Sequence, residues 1–381
     1  MNTQTWLARL IAFPTVSRDS NLALIDEVAA FLDAHGLMVR RIFNPDRTKA
    51  NLLATLPAKN GKLDGGLVLS GHTDVVPTDG QNWQSDPFRA EIRDGKLYGR
   101  GSCDMKGFIA AALNLIPQAA ANPPSRALHL AFSYDEEVGC LGAPLMIAEM
   151  QRLGLNPEFC IVGEPTGMKQ VIAHKGINVF HCRVHGQAAH SSLTPRGVNA
   201  IEYAARLMVF ISDWAKQLQS TRDDAFDVPF STLSVNQIHG GVANNIVPEL
   251  CEFSFDFRNL PEMPISVVTA ALETYIRQEL EPQMQAVAPH ARIEWEQRER
   301  VPAMTSAERS ELGDIVSTLI ADPARRKVAY AAEGGQFQAA GVPTILCGPG
   351  HIAQAHKADE YVELAQLAAC DQFLAQLLQR I

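Results

Sequence analysis

The feature that most constrains this chain is a set of short apolar runs, each followed almost at once by ionisable residues. Gly66–Ser70 leads into Gly71-His72-Thr73-Asp74, Leu128–Phe132 into Asp135-Glu136-Glu137, and Phe159–Val162 into Gly163-Glu164. Runs this short, apolar without alternation, fit strands buried on both faces better than helices. Helical periodicity fills the gaps between them, over Met105–Ile116 and Ala143–Leu153. Strands alternating with helices predict an α/β fold, a mixed, mostly parallel sheet with helices on both faces. The carboxyl ends of such strands open on a crevice, which is where the acids and the histidine fall.

Upstream, apolar residues recur at helical spacing from Ile25 to Leu37, and Met38–Ile42 and Ala50–Leu56 read as strands. The pattern changes near Asn178. Val179–Val184, Thr232–Ile238, Glu249–Arg258 and Arg292–Glu296 read as strands, with helices over Asn199–Leu218 and Ile265–Leu280. That order, βαββαβ, is the split βαβ pattern of a ferredoxin-like α+β domain. Cys251, Phe253, Phe255 and Phe257 alternate with Glu252, Ser254, Asp256 and Arg258, giving one apolar and one polar face. Beyond Val301 the α/β pattern resumes with a helix over Ala307–Ile320, a strand over Val342–Leu346 and a helix over Glu363–Leu378. We therefore expect residues 1–177 and 289–381 to form one domain and 178–288 an inserted one.

A chain of 381 residues with 46% hydrophobic and 20% charged residues has the length and composition of two globular domains. Its net charge of −9 excludes the cationic footprint that nucleic acid or an anionic membrane surface requires. Small molecules or ions are the expected partners. Seven cysteines, never spaced C-x-x-C, indicate neither a disulfide framework nor a thiolate zinc site. With no signal peptide and no membrane-spanning run, a reducing, cytoplasmic setting is expected.

The strand-end residues carry a consistent chemistry. His72 and Asp74 share one face, and a carboxylate beside a histidine can fix the tautomer that a metal needs. Asp104 follows the glycine-rich turn Tyr98-Gly99-Arg100-Gly101, where it reads equally well as a helix N-cap. The glycines do not complete G-x-G-x-x-G and Lys106 lies outside any Walker loop, so nucleotide binding is disfavoured. Glu136 and Glu137 diverge as neighbours do, leaving one free to ligate and the other to move protons. Pro165 holds Glu164 extended. A late loop, Gly348 to His356, offers His351 and His356, of which one need be a ligand. Histidine and carboxylate donors without thiolate suit a hydrolytic dinuclear site. Ser191, Ser192, Cys103 and Cys140 lack a nucleophile elbow, which disfavours a serine or cysteine hydrolase. A degenerate binding protein would be expected to have lost ligands, and here each position is filled.

These segments, His-Thr-Asp, Asp-Met-Lys-Gly, Glu-Glu, Gly-Glu-Pro-Thr and Gln-Ala-His, resemble those of the M20 metallopeptidases, from near Trp6 to the C-terminal helix. The resemblance implies two Zn2+ per subunit, with Co2+ able to substitute. His72 and Glu164 would hold one ion, Glu137 and His356 the other, and Asp104 would bridge. Asp74 would orient His72, Glu136 would be the general base, and the Asp104–Met105 peptide would be cis. His190, in Gln187-Ala188-Ala189-His190-Ser191-Ser192, matches a lid histidine that reaches the opposite subunit's site and stabilises an oxyanion, which implies a homodimer formed through the inserted lid domain. Asn245 and Arg258 match positions that bind substrate carboxylates. Ala173-His174-Lys175-Gly176, Arg196-Gly197-Val198-Asn199-Ala200 and Cys347-Gly348-Pro349-Gly350 look most like the branch that deacetylates N2-acetyl-L-ornithine, an N-acyl amino acid. In that reading Glu333 attracts the substrate's side-chain ammonium. Desuccinylation of N-succinyl-diaminopimelate is the nearest alternative, followed by an aminoacylase or dipeptidase.

Overall fold

The computed structural model describes residues 1–305 and 310–380, which divide into two compact units. The first comprises Met1–Ala173, Met304–Arg326 and Ala332–Ile381. Its main sheet runs in the order Met38–Phe43, Ala50–Leu56, Leu128–Ser133, Leu67–His72, Phe159–Pro165, Thr344–Gly348, Val171–His174, Met304–Thr305. The four strands from Leu128–Ser133 to Thr344–Gly348 pair in parallel, and antiparallel strands flank them. The sheet's central strands are fully buried, as their unbroken apolar runs require.

Leu67, Leu69, Leu128, Leu130, Phe159 and Ile161 share one apolar cluster with residues of the helices Thr3–Ile11, Leu22–Ala34, Lys106–Ala121 and Leu364–Leu378. Against the other face pack Ala143–Arg152 and Gly334–Ala339. Register explains why the sheet builds a site. His72 pairs with Ser133 and Ser70 with Val162, so the residues just beyond them, including Glu136, Glu137 and Glu164, emerge at one edge. At Gly163 any Cβ would sit 1.9 Å from the Phe108 ring, so only glycine lets this strand lie so close to the helix after Asp104.

The second unit, His174–Ala303 with Lys327–Ala331, is a four-stranded antiparallel sheet in the order Thr232–Gly240, Leu250–Arg258, Ile177–His185, Arg292–Val301. With the helices Ala200–Leu218 and Ser266–Tyr275 between strands, this is the split βαβ arrangement. The expected boundary at 289 falls too early. Arg292–Val301 pairs along its length with Ile177–His185, from Arg292 opposite His185 to Val301 opposite Ile177, which keeps it in this unit. The expected helix over Ala307–Ile320 is seen as Glu311–Leu319, capped by the Ser310 side chain, and Ala307 lies outside the described residues. The seven cysteines are buried and unpaired. Among the described residues no helix is long and apolar enough to cross a membrane.

Candidate metal centre

Two groups of potential ligands meet at the carboxyl edge of the first unit's sheet. His72, Asp104 and Glu164 place one ligand atom each within 4.8 Å of one another, and so do Asp104, Glu137 and His356. Asp104 belongs to both. His72 Nε2 lies 3.0 Å from Asp104 Oδ1, while His356 Nε2 lies 3.3 Å from Asp104 Oδ2 and 3.0 Å from Glu137 Oε2. His72 Nδ1 is 2.9 Å from the Asp74 carbonyl oxygen, a bond that takes the ring's other proton and leaves Nε2 to the site. Asp104–Met105 is the cis peptide expected from the resemblance.

The donor set fits divalent cations. Burial pushes the carboxyls of Glu136, Glu137 and Glu164 upward, and neighbouring carboxylates add to it. Asp104 moves the other way because bonds from His356 and His72 outweigh its burial. His72 is raised well above the ordinary histidine value in spite of its burial, chiefly through Asp104, and Asp104 and Glu137 push His356 up to about 10. Glu137 Oε1 and Glu164 Oε1 are buried without any hydrogen-bond donor, which a cation would remedy. Histidine and carboxylate donors together suit zinc or a similar hydrolytic metal.

Asp74 meets His72 through its backbone carbonyl, and its carboxylate turns to other partners. Its carboxylate stands 3.6 Å from His72 Nδ1, and it accepts from Ser17 Oγ at 2.7 Å, Glu136 N at 3.1 Å and Glu137 N at 3.3 Å. It therefore orients the Glu136-Glu137 turn, with the carbonyl holding His72. Cys140 Sγ donates to Glu136 Oε1 at 3.3 Å. Ser17 and Cys140 gave no signal in the sequence, since a lone serine or cysteine is uninformative until folding brings it to a partner.

Glu333, expected at the substrate's ammonium, lies deep in the first unit. It is 1% exposed and accepts from Ser70 Oγ at 3.2 Å, beneath the strand end that carries His72. That burial matches His72 and Glu164, and Glu333 Oε1, like Glu137 Oε1 and Glu164 Oε1, has no hydrogen-bond donor. Of the two loop histidines, His356 belongs to the second group of potential ligands, whereas His351 belongs to neither.

In the second unit, His190 and Asn245 are brought together. His190 pairs with Ile246 across a two-stranded ladder, and Ser191 N donates to the Asn245 carbonyl at 3.0 Å. His190 is exposed, with Nδ1 held by Ser192. Arg258 stands apart from them, at the far end of Leu250–Arg258, a strand roughly 27 Å long at its usual rise. Its Nε donates to Asp256 Oδ2 at 2.8 Å.

Residues 68–380 match the model of Peptidase family M20/M25/M40. The chain is 33% identical over 379 residues to an acetylornithine deacetylase of Proteus mirabilis, covering 97% of this chain and 94% of that protein. It is 33% identical over 377 residues to the acetylornithine deacetylase of Pasteurella multocida, covering 97% and 95%. Among solved structures it is similar to an aminopeptidase from Bacillus cereus, with a TM-score of 0.76, 16% identity and coverage of 99% and 98%. It is also similar to a dinuclear metal binding peptidase of the M20 family from Bacillus subtilis, with a TM-score of 0.64, 13% identity and coverage of 99% and 98%.

Proposed function

This chain belongs to the M20 peptidase family and is a metal-dependent amide hydrolase, and from that premise we propose that it hydrolyses N2-acetyl-L-ornithine to L-ornithine and acetate, a step of arginine biosynthesis. The observation that carries the hydrolytic part is the pair of ligand groups sharing Asp104, with Glu136 one residue from Glu137. What supports the substrate is full-length similarity to acetylornithine deacetylases.

His72, Asp104 and Glu164 would hold one zinc ion, and Asp104, Glu137 and His356 the other, with cobalt able to substitute. Bound there, the ions would supply positive charge that polarises the acyl carbonyl and acidifies the attacking water. Glu136 would take that water's proton and deliver it to the departing amine, so that the water's oxygen ends in acetate. Burial holds its carboxyl above the ordinary glutamate value. Asp74 would hold the Glu136 backbone in place during that exchange.

His190 would stabilise the oxyanion, Arg258 would take the substrate carboxylate, and Asn245 would assist. Two copies of the chain would be needed. Within one unit, the strand between the His190–Asn245 ladder and Arg258 is far longer than an acylated amino acid, so one substrate would draw these residues from different subunits. A homodimer through the second unit follows, and buried, unpaired cysteines agree with a cytoplasmic enzyme.

The test strips the protein with chelator, restores zinc or cobalt, and measures amine release from N2-acetyl-L-ornithine and from N-succinyl-diaminopimelate. Metal-dependent turnover of the first alone is expected. Preference for the second would overturn the substrate while keeping the centre, and chelator-insensitive turnover would overturn both. Glu136→Ala should retain both metals and lose about 10²–10⁴-fold in turnover.

A further inference from the structure

Beyond the ligands themselves, one buried carboxylate gathers an unusual number of donors from the loop that carries Asp104. Strand Tyr361–Glu363 pairs with Lys96–Tyr98, placing Tyr361 opposite Tyr98, and Gly99 N donates to the Glu360 carbonyl at 3.0 Å. This register sets the Glu360 side chain against the turn that follows Tyr98. Glu360 Oε1 accepts from Cys103 N at 2.9 Å and Asp104 N at 3.0 Å. Glu360 Oε2 accepts from Gly101 N at 3.1 Å and from Arg100 Nη1 at 2.6 Å. Both members of the ion pair are 1% exposed.

The same network reaches the other ligand loop. Arg100 Nη2 donates to Gln81 Oε1 at 2.6 Å, and Gln81 Nε2 donates to the His356 carbonyl at 3.0 Å. Glu360 also lies only four residues after His356 in the chain. A buried ion pair contributes little to stability for its own sake, because desolvation offsets the attraction. Its value here is geometric, since four donors fix one carboxylate, and the carboxylate fixes the backbone of the loop.

We propose that Glu360, clamped by Arg100, is a positioning residue that sets where Asp104 stands between His72 and His356 and thereby tunes metal affinity. The inference rests on the metal-centre reading above. Neither Glu360 nor Arg100 touches the reacting atoms in it. Glutamine at position 360 would present an amide NH2 to donors at one end of its fork, removing two of the four acceptor contacts and the charge opposite Arg100. Outer-shell partners of metal ligands typically account for 10–100-fold in metal affinity.

The experiment titrates zinc alone, against a competing chelating dye, into the full-length metal-stripped protein and three variants, with melting temperature measured in parallel. Glu360→Gln should weaken zinc binding by about 10–100-fold. Gln81→Ala, at a half-buried position expected to tolerate it, should shift affinity in the same direction by a smaller factor and keeps the test alive should Glu360→Gln fail to fold. His129→Gln is the control, because His129 is buried in the sheet with Thr55 and the Gly65 carbonyl as its partners. It should lower the melting temperature and leave zinc affinity unchanged. Zinc affinity in Glu360→Gln and Gln81→Ala within threefold of the parent, or an equal loss in His129→Gln, would overturn the positioning role. A parent protein that takes up no zinc would overturn the metal-centre reading instead, and this inference with it.

Discussion

The two ligand groups that share Asp104 are built differently. His72 and Glu164 lie on central strands and are buried, so their positions are fixed by sheet register and by packing such as that of Gly163 against Phe108. Glu137 follows a strand in a turn held by Asp74, and His356 stands on a loop at a positive φ of 62° with 52% of its side chain exposed. One half is part of the core and the other is assembled over it. A half-site in the core resists both distortion and exchange, whereas one completed by a loop can open locally at much lower cost.

The sharpest way to break this contrast is to remove what the halves share. Asp104→Ala should abolish binding at both, with turnover down by at least about 10³-fold, beyond the range seen for outer-shell partners. Metal analysis of the purified variant checks it, and one retained stoichiometric zinc would show the halves to be independent. Next in size is the comparison of His72→Ala with His356→Ala. We expect His356→Ala to keep one tightly held ion and to bind the second about 100-fold more weakly. His72→Ala should disturb both, because it also uncovers a buried Asp104 oxygen. Equal losses in calorimetric titrations would remove the distinction.

The smallest effect should come from Gly163→Ala, whose new methyl meets the Phe108 ring. Overpacking of this kind costs about 1–3 kcal/mol. Urea denaturation should report that loss, and zinc dissociation should accelerate for the buried half alone. An unchanged unfolding midpoint would mean that the strand and helix can move apart freely.

The same contrast accounts for what could be read in the sequence. Central strands buried on both faces leave unbroken apolar runs, so Leu67–His72, Leu128–Ser133 and Phe159–Pro165 and the residues at their ends were legible with near-correct limits. The helix Thr3–Ile11 passed unread although Trp6, Leu7, Leu10 and Ile11 recur at helical spacing behind the Asn2 cap. Arg292–Val301 was read only to Glu296, because its Gln-Arg-Glu-Arg stretch is the polar register of an outer strand and resembles a loop. The burial of Glu333 was not legible because it depends on partners such as Ser70, far away in sequence. Glu360 and Arg100 were silent for a similar reason: their importance lies in backbone donors, and every residue except proline has one.

The places where the chain first leaves and rejoins the first unit lie side by side. Val171–His174 and Met304–Thr305 are adjacent strands of one sheet, so the longer excursion through the second unit, which precedes the short one at Lys327–Ala331, departs and returns through neighbouring positions. A tight turn would span that gap with little entropic penalty, whereas a detour begun and ended on distant strands could be neither gained nor lost without breaking the sheet. The main part of the second unit thus attaches through one pair of neighbouring strands, so a change within it need not disturb the sheet that carries His72 and Glu164.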